Sequence, residues 1–401
     1  MYLNREEEKM LKGEMGPDVE LAMEVIVKMG DALKAERLIP TTSSHIGNSG
    51  FLRRMESYLG MVRRFLEVGA RVKVPTSENT YPYDPLREEL IPEVFRGPNL
   101  LAEWYRKLGV TPTWTCTPYN YGNIPRFGQH ISWEESSAVI YVNSVLGAKT
   151  NRETITLDLT TAIAGRTLYR DLHIDKNRQG EVLFTVNKKP ANDDYPAMGY
   201  FMGKTVGTKI PVIQGLPRNV PSSDLKNMGA AAASTGAVAL YHVVDVTPEA
   251  MSLGRAFGGE RPVDRIQMDS DEFEMTKEEM SAVSEGEKVE VVGLGCPHYS
   301  LEEVASAARM LEGKKIKEGV QLWICTHEAA RTLAKELGYH DIIEASGARL
   351  ITGCPLNLCI VPPYSEMSAM SDSGKFCYYR RSAFGSQEQC IKSAIAGRVM
   401  K

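Results

Sequence analysis

Through residue 35 the apolar positions recur at helical spacing. Asn4 is placed to cap a short acidic helix whose glutamates, Glu6 to Glu8, face the positive end of its dipole. Pro17 suits the first turn of a second helix, with Val19, Met23, Ile26, Val27 and Leu33 as its apolar stripe. The pattern then breaks. Leu38-Ile39-Pro40 leads into a polar, glycine-containing loop from Thr41 to Gly50. Arg71-Val72-Lys73-Val74-Pro75 predicts a strand running into Thr76-Ser77-Glu78-Asn79. Polar loops beside short buried segments are where site residues collect.

Further on, Trp133-Glu134-Glu135-Ser136-Ser137-Ala138 predicts a helix of small and polar residues, and the Ala-rich run 229–240 a tightly packed one. From about residue 286 strands and helices alternate. Val289 to Gly293, Gln321 to Ile324 and Arg349 to Ile351 predict strands. Ser300 with Glu303 forms a capping-box signature for a helix through Leu311, and Thr326 can cap one that stops at Gly338. The expected fold is α/β. Catalytic lobes span 1–285, and a smaller lobe of parallel, crossover-connected strands spans 286–401.

Composition narrows the classes. Of 401 residues, 43% are hydrophobic and 24% charged, with a net charge of −4. That excludes disorder as the dominant state, and with no long Lys/Arg run it argues against a nucleic-acid partner. No apolar stretch reaches the ~18–20 residues that cross a bilayer, so no membrane partner is expected. The acidic start, Met1 to Glu8, lacks a signal-peptide core, which makes the cytoplasm the expected compartment.

Seven cysteines, an odd count spread over a long chain, do not form a secreted disulfide framework. Cys296 follows the first strand of the C-terminal lobe, Cys325 ends the second and Cys354 follows the third. In parallel sheets ligands bind beyond the carboxyl ends of the strands, so these thiols can approach one site. Cys116 lies in a comparable proline-rich turn. With no CxxC pair a zinc ribbon is excluded, whereas iron–sulfur ligands need not be close in sequence. Cys377 and Cys390 look least special, and Cys359 lies close enough to Cys354 to replace it. Gly199 to Thr205 ends like a phosphate loop with its glycines one residue too close, and Gly293-Leu294-Gly295-Cys296 abandons a dinucleotide fingerprint at Pro297-His298. His45 and His298 sit in candidate site loops, whereas His173, His242 and His340 read as structural or surface residues.

Several phrases together carry a resemblance. Pro112-Thr113-Trp114-Thr115-Cys116-Thr117-Pro118-Tyr119 resembles a signature of the aconitase X family. The likeness continues through Pro125 to Gly128, Trp133 to Ser136, Asn143 to Ala148, Thr150 to Glu153 and Gly295-Cys296-Pro297-His298. It implies an aconitase-like, multi-lobe α/β/α architecture around an iron–sulfur cluster. The implied ligands are Cys116, Cys296 and Cys354. A 4Fe–4S cluster is expected, with 3Fe–4S or 2Fe–2S as alternatives. The resemblance also implies a separate swivelling small subunit that carries the catalytic serine, since no serine- and glycine-rich loop of that kind occurs here. Near the C-terminus, Gly353-Cys354-Pro355-Leu356-Asn357 departs from the family's usual wording.

The implied activity is a hydro-lyase acting on a β-hydroxy acid: (R)-5-phosphomevalonate first, giving trans-anhydromevalonate 5-phosphate, or cis-3-hydroxy-L-proline. A non-catalytic iron–sulfur or scaffold subunit is the reading of a different class. Such a dehydration needs a Lewis acid for the hydroxyl and cationic or hydrogen-bonding groups for the carboxylate. Ser44, His45, Thr76, Asn79, Glu134, Ser136, Asn143, Ser144 and Lys375 are the candidates for substrate binding. The base is expected from the partner.

Overall fold

The computed structural model describes residues 1–47, 55–96 and 99–401. Asn48, Ser49 and Gly50, the last part of the polar loop, lie outside the described residues.

The architecture is α/β, with parallel sheets crossed by helices. Local chemistry sets the helix starts. Asn4 and Glu7 form a reciprocal capping box on Arg5–Leu11, and Pro17 opens Pro17–Ala32. Ser300 and Glu303 do the same for Leu301–Leu311. Among the described residues no helix is long and apolar enough to cross a membrane.

Two sheets position the site. The first is a parallel trio with Ser44–Ile46 in the centre, flanked by Thr76–Glu78 and Ser132–Trp133. It rests on a core that includes Val19, Met23, Ile26, Phe65, Leu101 and Ile163. The second is a five-stranded parallel sheet lying within 286–401. Its order is Arg349–Ile351, Gln321–Thr326, Val291–Tyr299, Ala369–Ser371, Ala383–Phe384. The chain enters it at Val291–Tyr299, steps outward twice, then crosses back to the other side. The strand order therefore reverses beside Val291–Tyr299, which makes a ligand crevice at its carboxyl end. Between these sheets in sequence lies a four-stranded parallel sheet, 182–268, packed around Phe184, Met198, Ile213, Met228 and Tyr241.

Several expected elements shift. Residues 71–75 form no strand: the Val72 and Lys73 N–H groups go to Leu108 and Ala162 carbonyls, and pairing begins only at Thr76. Ser44, His45 and Ile46 are a buried strand rather than loop. Trp133 ends a strand instead of starting a helix. Glu135 caps the helix that follows, Ser136–Tyr141, by accepting from the Ser137 N–H. Thr326 ends its strand, and His327 caps Glu328–Glu336. The first strand of the last lobe runs on to Tyr299, so Cys296 lies within it. Its ladder with Gln321–Thr326 breaks between Leu294 and Tyr299, where Gly295 has φ +88°. A Cβ at Gly295 would lie 2.1 Å from the Cys325 carbonyl oxygen, so this bulge requires glycine.

The Ala-rich segment is helical over Ser222–Thr235, ending before Gly236. The phosphate-loop lookalike Gly199 to Thr205 lies inside the neighbouring helix, Asp194–Val206. Its glycines serve packing: a Cβ at Gly199 would fall 2.0 Å from the Met228 carbonyl oxygen. In an exposed helix Gly→Ala stabilises by roughly 0.5–1 kcal/mol. Here Gly199→Ala is expected to destabilise by about 1–3 kcal/mol, because two backbones must part. The sign of the shift in urea midpoint decides between the two.

Candidate functional site

The carboxyl ends of the two sheets face one cavity of about 310 Å³. The first sheet contributes Asn79 and Thr80 after one strand, and Glu134, Glu135 and Ser137 after another. The second contributes Cys296 and His298 from its central strand, Cys354 and Asn357 after the third, and Lys375 after the fourth. Cys116 reaches the same wall on a segment running beside Thr76–Glu78. Along it, the Thr111 N–H donates to the Thr76 carbonyl and the Thr115 N–H to that of Glu78.

Thus Cys116, Cys296 and Cys354, remote in sequence, share one cavity. Cys116 and Cys296 are 8% and 7% exposed, which turns their remaining accessibility toward it. His298 ties their segments together. Its backbone N–H donates to Cys116 Sγ at 3.3 Å. On the ring, Nε2 lies 3.2 Å from the Gly353 carbonyl oxygen and Nδ1 3.1 Å from Thr115 Oγ1. A carbonyl only accepts, so Nε2 carries the proton and Nδ1 accepts from Thr115. Burial, helped by the neighbouring His327, holds this imidazole neutral, with its pKa lowered to about 3. Cys354 caps the short helix Pro355–Cys359, its Sγ accepting from the Asn357 N–H.

Opposite the thiols lies an ion pair. Lys375 Nζ donates to Glu135 Oε1 and reaches Ser136 Oγ at 3.4 Å. Glu135 also accepts from Asn79 Nδ2 at 3.1 Å and from Ser137. Burial works against a charged Glu135, but the Lys375 ammonium and these hydrogen bonds pull its carboxyl down to about 2. Burial likewise opposes a charged Lys375, yet Glu135 holds it above its usual range. Next door, burial and then the Glu135 charge push the Glu134 carboxyl up to about 8. Adjacent residues thus hold opposite protonation states.

Of the residues predicted from the sequence, Asn79, Glu134, Lys375, Cys116, Cys296 and Cys354 line the cavity. Ser136 touches it only through Lys375. The others are engaged elsewhere. Ser44 Oγ donates to the Ser132 and Asp158 carbonyls, and His45 Nδ1 bonds Ser77 Oγ in the strand interior. Thr76 Oγ1 donates back to Val74. Asn143 bridges Thr150, Ala239 and Arg178, and Ser144 accepts from the Tyr241 N–H. Cys325 is fully buried in its strand, and Cys359 sits in the apolar cluster beneath the cavity. Sequence reasoning passed over Glu135, Ser137, Thr80 and Asn357. The acidic doublet Glu134-Glu135 before a run of small residues was the signal available for the first two.

Among the described residues, no group of three or more His, Cys, Asp or Glu is already closed around a metal position. The donor chemistry nevertheless fits an iron–sulfur group. The cavity offers three soft thiols, with backbone N–H groups aimed at two of the sulfurs. Burial raises the Cys116 thiol to about 12 and lifts Cys296 and Cys354 as well, so without a metal they stay protonated.

A crevice at a strand-order reversal, walled by thiols and a buried ion pair, defines the class: an α/β protein with a cofactor-type site between lobes. The family follows from comparison. Models described as the first, second and third domains of aconitase X match residues 1–176, 180–278 and 289–396. The chain belongs to the aconitase X family. It is 36% identical over 414 residues to a protein named phosphomevalonate dehydratase large subunit from Methanosarcina mazei, covering 100% of this chain and 99% of that one. It is 33% identical to a cis-3-hydroxy-L-proline dehydratase from Pseudomonas aeruginosa, covering 98% of this chain and 70% of that protein. The crystal structure of Thermococcus kodakaraensis aconitase X, holo-form, superposes with a TM-score of 0.86 at 35% identity, over 98% of this chain and 100% of that one.

Breaking a buried ion pair leaves an uncompensated charge. Lys375→Met is expected to cost about 3–5 kcal/mol in denaturant unfolding. Adding Glu135→Gln should recover most of that loss, and a double variant no more stable than the single one would show that the pair is not the cause.

Proposed function

We propose that this chain is the large subunit of a hydro-lyase that removes water from a β-hydroxy acid. The substrate in this reading is (R)-5-phosphomevalonate, converted to trans-anhydromevalonate 5-phosphate. The observation that carries the class is the convergence of Cys116, Cys296 and Cys354 on one cavity opposite Lys375. The substrate rests on the relatives: four named phosphomevalonate dehydratase large subunit are 34–38% identical. Two cis-3-hydroxy-L-proline dehydratases follow at 33% and 32%, which makes that imino acid the second reading.

In this proposal Cys116, Cys296 and Cys354 hold the iron–sulfur cluster, 4Fe–4S in the leading form. Such a cluster with an open iron supplies a Lewis acid for the hydroxyl and carboxylate oxygens. The chain's own residues do the rest. An ammonium has three donors. Lys375 directs two of them to Glu135 and Ser136, which leaves one for a substrate carboxylate. Asn79 stays fixed, donating to Glu135 and accepting from the Thr80 N–H, so the pair keeps its aim. The base that removes the proton beside the carboxylate comes from the small subunit, which carries the catalytic serine. The 286–401 lobe supplies two of the three thiols and Lys375, and 1–285 supplies Cys116 and the acidic wall.

The test uses protein co-expressed with its small subunit and purified without oxygen. Iron and sulfide content and the electron paramagnetic resonance spectrum should show a cluster. Its signal should vanish in Cys116→Ser, Cys296→Ser and Cys354→Ser and persist in Cys377→Ser. Dehydration of 5-phosphomevalonate should exceed that of cis-3-hydroxy-L-proline, and the reverse order would favour the second reading. Protein that stays colourless after anaerobic reconstitution would sink the cluster.

A further inference from the structure

Glu134 is a carboxyl for which the cavity has no evident binding use. It follows the strand Ser132–Trp133 and lines the same cavity as the three thiols. Its neighbour Glu135 is bound on both oxygens, whereas among the described residues no ion pair ties Glu134 to a cation. The seat of Glu134 is built. The Gly47 N–H bonds the carboxyl, and a Cβ at Gly47 would lie 2.0 Å from Oε1. Any larger residue there would push the acid aside.

The charged and titratable groups around it all bear on its proton. Glu135 beside it repels a second negative charge, and among the described residues Arg152 is the cation acting on it. Asp158 from Ile155–Ala164, Tyr58 from Glu56–Glu67 and Tyr105 from Leu100–Leu108 each feel the charge of Glu134. Burial raises the pKa of all three, which keeps them protonated, so they add no negative charge. Burial and Glu135 outweigh Arg152, and the carboxyl keeps its proton up to about pH 8. Two adjacent carboxyls driven apart in this way are the pattern of an assigned acid.

We infer that Glu134 is the general acid that protonates the departing hydroxyl, an inference that rests on the hydro-lyase reading. The C–O bond breaks with its electron pair on oxygen, and the Glu134 proton converts that oxygen to water. The proton beside the carboxylate passes to the small subunit's base, and the C–H electron pair becomes the new C=C bond. Glu134, left as carboxylate, regains a proton from solvent as the base releases its own. Lys375 and Glu135 cannot share this task, since Glu135 is ionised with no proton to give and its charge holds Lys375 as the ammonium.

The experiment compares wild type with Glu134→Gln, both as the cluster-loaded complex with the small subunit. Infrared difference spectra at pH 7 should show a protonated-carboxyl C=O stretch in wild type. The glutamine variant should lack it, and in wild type it should fade as pH rises through about 8. Glu134→Gln should keep the cluster's paramagnetic signal and a near-normal KM while kcat falls about 100-fold or more. The alkaline limb of the kcat profile should disappear with it. Gly47→Ala, which displaces the carboxyl without removing it, should lower kcat in the same direction. Absence of the band, or near-wild-type kcat in Glu134→Gln, overturns the assignment. A wild-type complex that dehydrates neither β-hydroxy acid overturns the hydro-lyase reading and the acid's role together. The infrared band separates that failure from an ionised Glu134.

Discussion

The buried ion pair between Glu135 and Lys375 is the constraint on which the site depends. It joins the end of the first sheet to the first turn of a helix in the last lobe, 240 residues later. Removing two charges from water costs several kcal/mol each, so such a pair persists only where its remaining valences are filled. Asn79 and Ser137 fill those of Glu135, and Ser136 lies within reach of Lys375. The pair therefore fixes how two sheets meet as well as neutralising a charge. Its pH dependence has a definite sign. The Glu135 pKa is lower in the folded chain than in the unfolded one, so the contribution is complete above the ordinary carboxylate range. It is lost as pH falls toward about 2.

The thiol side of the cavity is held by a different device. His298 lies two residues from Cys296, donates its N–H to Cys116, and bonds through its ring to the neighbours of Cys116 and Cys354. One imidazole thus spans three segments that the sheet topology only brings near one another. In the neutral ring Nε2–H donates to the Gly353 carbonyl and Nδ1 accepts from Thr115, whose Oγ1 in turn accepts from the Thr117 N–H. The low pKa of His298 preserves the single tautomer that fits both partners.

The C-terminal lobe was readable because its periodicity is regular. Parallel strands joined by capped helices place their following loops at one edge, and Cys296, Cys354 and Lys375 fall there. The first lobe was less readable, for a physical reason. Asn143 and Ser144 look like site residues because they are polar within an apolar run. In the fold they satisfy backbone groups of buried Thr150 and Tyr241 and half-buried Ala239. His45 and Ser44 look like loop and are a buried central strand, since three short segments pair there with almost no hydrophobic alternation to announce them. The acidic doublet could mark Glu135 as a candidate but not its role, because its partner Lys375 lies 240 residues away. Long-range pairing of charges leaves no local pattern.

The same bookkeeping of charge limits what this chain can do alone. Among the described residues lining the cavity, Glu135 is a committed anion and Lys375 a committed cation. Glu134 keeps its proton, and both ring nitrogens of His298 are engaged. The thiols lie high on the pKa scale. None of these groups is a competent base near neutral pH. Proton abstraction beside a carboxylate needs one within hydrogen-bond reach of the carbon acid. In the proposed reaction the described residues of this cavity supply an acid, a cation and thiols for a cluster, and the base is the group they do not supply. That proposal takes the base from the small subunit.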